Sequence, residues 1–152
     1  MIAYLGGPGF LGTHGSVGAD LALVVMVAAF VMLSVGVLLA RARRYEAHRR
    51  MQTAAVCLNA IPVVAWMVRS FWLYVLPGLP GNLGKQVDAL TTVHAATGLV
   101  GVAIGVFVVV RGSQLEARGA SLSRYKTAMR VAYVLYLLGT ALGVWVYIVL
   151  YG

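Results

Sequence analysis

The stretch GADLALVVMVAAFVMLSVGVLLARARRYEAHRR, residues 18–50, decides the fold. From Gly18 to Leu39 it carries a single charge, Asp20, and that length meets the roughly 20 apolar residues needed to cross a bilayer core as a helix. A dense arginine cluster, Arg41, Arg43, Arg44, Arg49 and Arg50, follows at once. An apolar span closed by cations reads as a transmembrane helix whose far end lies in the cytoplasm.

The rest of the chain repeats the pattern. A second apolar run goes from about Met51 to Val75 with Asn59, Pro62 and Arg69 inside it, a third from about Leu90 to Val110, and a fourth from about Thr127 to Tyr151. Pro62 removes one donor from the helix ladder and predicts a kink. Between the second and third runs, LPGLPGNLGKQVDA has the prolines and glycines of a loop, and its Asp88 is placed to cap the next helix. The second basic segment, RGSQLEARGASLSRYK, precedes the fourth run.

Composition agrees with a membrane protein. Of 152 residues 61 % are hydrophobic and only 11 % charged, too apolar a surface for a soluble domain of this size. Lys and Arg divide ten to two: Arg41, Arg43, Arg44, Arg49, Arg50, Arg111, Arg118, Arg124, Lys126 and Arg130 against Arg69 and Lys85. The positive-inside rule then sets both termini outside. The expectation is one all-α domain over residues 1–152: an integral membrane four-helix bundle, N-out and C-out, with an outer tail or lid at 1–17.

The net charge of +8 sits in the two loops without interleaved aromatics, which argues against nucleic acid and for membrane orientation. No cationic segment precedes the first run, so no cleaved signal peptide is expected. The lone cysteine, Cys57, lies in an apolar run and reads as a small hydrophobe. Paired carboxylates, a Ser/His/Asp set and a phosphate loop are all missing, so the chain is read as non-enzymatic.

The third and fourth runs carry matched stripes of small residues. His94, Gly98, Gly101 and Gly105 share one helix face, and Tyr136, Gly139, Gly143 and Tyr147 share another. Small residues on facing stripes let two helices approach closely in lipid, so these two are expected to pack together. His94, about 7 Å below the outer end of its helix, then faces protein. Tyr147 lies at a similar depth, and Arg69 close to it.

These three define a candidate cofactor pocket of His94, Tyr147 and Arg69, where imidazole suits haem, copper or a quinone carbonyl. The alternative is a bracing histidine bonded to Tyr147 or to a backbone carbonyl. For a metal, His94 with His14 from the outer tail is the pairing the depths allow. His48 lies at the cytoplasmic start of helix two, most of the roughly 30 Å core away, so it and His94 cannot share one iron. Asn59 reads as interhelical glue, Arg69 alone as a snorkelling side chain, and Asp20 as a helix cap or a partner of Arg69.

Four segments resemble one family: FLGTHGSVGADLAL at 10–23, EAHRRMQTAA at 46–55, TTVHAATGLVGVAIGV at 91–106 and the ending YKTAMRVAYVLYLLGTALGVWVYIVLY at 125–151. Together they are similar to the domain of unknown function 420 family, small four-helix bacterial membrane proteins. Some members are implicated in maturing haem-copper cytochrome oxidase. The resemblance matches His48 and Arg49 to the family's His-Arg before helix two, and His94 to its histidine early in helix three. Tyr125 and Lys126 stand where the family often has a second His-Arg. It implies an accessory or assembly subunit of a respiratory complex of that type, in a prokaryotic plasma membrane, with lipid and a larger membrane complex as partners. The alternatives are a haem- or quinone-binding electron-transfer subunit with its pocket around His94, and a purely structural subunit.

Overall fold

A computed structural model of the chain describes residues 7–79, 81–118 and 125–152. It is all-α, with four helices each long and apolar enough to cross a membrane. They are α1 (Val17–Arg41), α2 (Tyr45–Pro62, prolonged by an irregular helical extension to Gly78), α3 (Gln86–Ala117) and α4 (Lys126–Tyr151). "Outer" below means the end bearing the chain termini, as the arginine count orients it.

Local chemistry explains the boundaries. Ser16 caps α1, its hydroxyl accepting from the Ala19 amide at 3.3 Å, and Arg41 occupies the last turn, where a cation suits the helix dipole. The turn into α2 holds Arg43 at a φ of 60°, in the left-handed region. Helix α2 begins earlier than the apolar run. Glu46 pairs with Arg49 and Arg50 on its first turns, His48 Nδ1 donates to the Gly36 carbonyl at 2.7 Å, and Gln52 donates to the Leu33 carbonyl at 3.0 Å. These bonds stitch α2 to α1 at the arginine-rich end.

Pro62 lies inside the second span, and the backbone changes winding just after it. Val63–Met67 and Phe71–Val75 are π-helical, with the Val68 amide donating to the Val63 carbonyl and the Leu76 amide to the Phe71 carbonyl, five residues back in each case. The missing proline donor and the clash of its ring are the local cause of the widened turn beside it. Asp88 corrects the capping expectation: it sits within the first turn of α3, whose start is Gln86, and acts there as an acid near the positive helix end. Helix α3 runs on past Val110, with the Ser113 hydroxyl bonded to the Val109 carbonyl.

The helices form two antiparallel hairpins, α1 with α2 and α3 with α4, joined mainly where α1 meets α4. The glycine stripes meet as expected. A Cβ built on Gly139 would stand 3.9 Å from the Gly98 Cα, and one on Gly101 would stand 3.4 Å from the Leu135 Cβ. Toward the arginine-rich half, Leu33, Ala55, Val56 and Tyr136 form the buried core. Val31, Leu38, Leu99 and Ile148 point outward, as lipid-facing side chains must.

Candidate functional site

The glycine-rich segment 7–16 folds back over the outer end of the bundle. A tail this poor in side chains has no core of its own, so something in the bundle must fix it. That group is Asp20, which is 0 % exposed. Its Oδ2 accepts from the amides of Phe10 at 2.6 Å and Leu11 at 2.7 Å, and its Oδ1 accepts from the Tyr147 hydroxyl. Because the single Tyr147 hydrogen goes to the carboxylate, Thr13 Oγ1, 2.6 Å away, donates to the Tyr147 oxygen. Backbone bonds from Gly9 to Gly15, Val17 to Gly7 and His14 to Tyr151 complete the lid.

The fit leaves no room for side chains at two places. A Cβ on Gly9 would stand 2.3 Å from Asp20 Oδ2, and one on Gly15 would stand 2.8 Å from Asp20 Oδ1. Burying a carboxylate is costly, and here two amides and a phenol replace its water. Asp20 therefore neither caps α1 nor pairs with Arg69; Ser16 holds the cap.

Beneath this layer lies His94. Its ring rests against Gly143 and is hydrogen-bonded to the backbone carbonyl of Gly139, as the bracing reading allows, while its Nδ1 is buried with no hydrogen-bond partner among the described residues. A Cβ on Gly143 would be 2.8 Å from His94 Cε1 and 2.8 Å from Met26 Sδ, so imidazole and thioether share one small space between α1, α3 and α4. Nitrogen and thioether sulfur are donors suited to haem iron or copper. Among the described residues no group of three His, Cys, Asp or Glu gathers to hold a metal. His94 and Met26 are the residues that would touch a bound group here.

No hydrogen bond or ion pair joins His94, Tyr147 and Arg69 among the described residues. Tyr147 belongs to the lid latch, and the bracing bond from His94 to Tyr147 does not form, since the phenol is taken by Asp20 and Thr13. His14 gives its backbone amide to the Tyr151 carbonyl at 3.1 Å, and its residue is exposed on the lid. His48 lies at the other end, tied to Gly36, beside the exposed Glu46–Arg49 pair. Asn59 is buried within the bundle, as interhelical glue requires. Cys57 is exposed on α2 rather than buried.

No family model matches the chain, and neither a curated protein nor a solved structure matches it. The resemblance to the domain of unknown function 420 family thus rests on the four segments quoted above.

Arg69 lies on the irregular extension of α2, between its two π-helical turns. It is exposed and has no ion pair or hydrogen bond among the described residues. With Val64, Val68, Trp72 and Leu73 it lines a shallow groove of about 310 Å³. Trp72 is 67 % and Tyr74 79 % exposed. Sequence reading singled out Arg69 but not this groove, because the π turns that set its neighbours leave no pattern in the residues. Met26 was missed for a similar reason: a methionine in an apolar run looks like any core residue.

Proposed function

We propose that the protein is a non-enzymatic accessory or assembly subunit of a larger membrane complex, working by docking through its helices. One observation carries this reading: the outer part of helix two is uncovered by the rest of the bundle and presents Val64, Val68, Trp72 and Arg69 on a concave face. Tryptophan and arginine are the side chains most enriched where proteins bind one another. Single π turns inside helices occur often at functional sites, and two of them bracket this face.

The four segments resembling the domain of unknown function 420 family direct the proposal to a respiratory complex of the haem-copper oxidase type, in a prokaryotic plasma membrane. The test is direct. In membranes of the source cell solubilised in mild detergent, the tagged chain should migrate in an assembly far larger than its own 16.1 kDa. Deleting it should lower the haem absorbance of the assembled oxidase. Migration alone, together with unaltered respiratory complexes after deletion, would sink this reading.

A second reading has its own observation. The unpartnered Nδ1 of His94 beside the Met26 thioether supports a haem- or quinone-binding subunit, or copper held at the same place. An absorbance spectrum with metal analysis of the purified protein separates it from the first.

A further inference from the structure

We infer that the Arg69 groove receives a transmembrane helix of a different protein, one carrying an aspartate or glutamate near its outer end. The inference rests on the docking reading above and names the chemistry of the docked surface. Arg69 stands 19 residues beyond Arg50, about 28 Å along the helix, which puts it at the outer edge of the hydrocarbon. There a guanidinium needs an anion or water, and no carboxylate among the described residues pairs with it. Asp20 is sealed inside the lid, Glu46 is taken by Arg49 and Arg50, Asp88 at the outer start of α3 makes no ion pair among the described residues, and Glu116 belongs to the arginine-rich end.

Shape narrows the occupant. Val64, Val68 and Trp72 fall at i, i+4 and i+8, a ridge spacing on which another helix packs, while Arg69 stands beside that ridge at the groove's edge. A carboxylate at matching depth would accept from the guanidinium as a fork, a geometry that fixes register as well as adding strength. A second copy docked about a two-fold axis would set Arg69 near its own counterpart, and like charges oppose that arrangement. A lipid phosphate could meet the charge but requires no fixed ridge beside it.

The test is photo-cross-linking in membranes of the source cell, with a photoreactive residue at Val68 and a control at Val106, which is exposed on α3. The expected result is an adduct from position 68, absent from 106, whose partner peptide is an apolar helix containing Asp or Glu. Arg69→Glu and the milder Arg69→Gln should each cut that adduct by about tenfold or more, and a basic residue at the partner's acid should restore it with Arg69→Glu. Because Arg69 makes no hydrogen bond or ion pair among the described residues, both variants should insert and fold as the parent does. Adducts only to lipid, or only to a second copy, overturn the inference. So does a protein adduct indifferent to both Arg69 variants, although docking itself then stands. If the chain migrates alone and no protein adduct forms, the functional reading has failed along with it.

Discussion

Tyr147 of α4 donates its phenolic hydrogen to Asp20 of α1, a residue 127 positions earlier in the chain, and that bond closes the outer end of the bundle. It joins the first helix to the last, and through Asp20 it holds Phe10 and Leu11 of the lid. A buried carboxylate with no cation beside it depends on every donor it has.

Tyr147→Phe should lower stability by about 1–3 kcal/mol, because it removes a donor from a buried acceptor while keeping the ring. Hydrogen exchange at the Phe10 and Leu11 amides should accelerate with it. Asp20→Asn should be milder than Asp20→Ala, since an amide oxygen still accepts from the lid and its NH₂ can donate to Tyr147. Unchanged exchange at both amides in Tyr147→Phe would show that the latch does not hold the lid.

Two glycines on facing stripes should respond differently to a single methyl group. A Cβ at Gly143 would come within 2.6 Å of Met26 Cε and 2.8 Å of His94 Cε1, whereas one at Gly98 meets nothing within 4 Å. Gly143→Ala should therefore cost about 1–3 kcal/mol through overpacking. Gly98→Ala should be close to neutral. Thermal unfolding in detergent compares them, and equal midpoints would mean that Met26 and His94 yield freely.

His94 provides a third test. Its Nδ1 has no partner to lose and its ring gives up only the bond to the Gly139 backbone, so His94→Leu should lower stability by about 1 kcal/mol. If a haem, copper ion or quinone is held there, the same variant and His94→Gln should lose it, because an amide replaces a hydrogen bond but is a poor metal ligand. A drop well beyond that would reveal an ordered water on Nδ1.

Orientation can be checked independently of any function. Tags at either terminus should be reachable from outside the cell, and a cysteine at Ser113, exposed on α3, should react only from the cytoplasm. The exposed Cys57 should be replaced by Ala first. External labelling at position 113 would reverse the topology.

Helix number, apolar faces and the meeting of α3 with α4 were legible in the residues, because span length and glycine spacing are local properties that lipid reads directly. So were the inward placement of His94 and the lid over the outer end. The site within that frame was not legible. Placing Tyr147, Arg69 and His94 at one depth gave no information on azimuth, and around a bundle axis equal depth does not mean contact.

The sequence by itself determined four helices able to span a membrane, since hydropathy over about 20 residues suffices for that, and its arginines set the orientation that the labelling checks. Only the tertiary structure decided that Tyr147 belongs to Asp20 and the lid, that Met26 shares its space with His94, and that Arg69 lines a groove with no ion pair among the described residues. Each of these depends on how far every helix is rotated about its own axis. That rotation is set by which small residues touch across the bundle and by the widened turns after Pro62, and neither is written in any one segment of the chain.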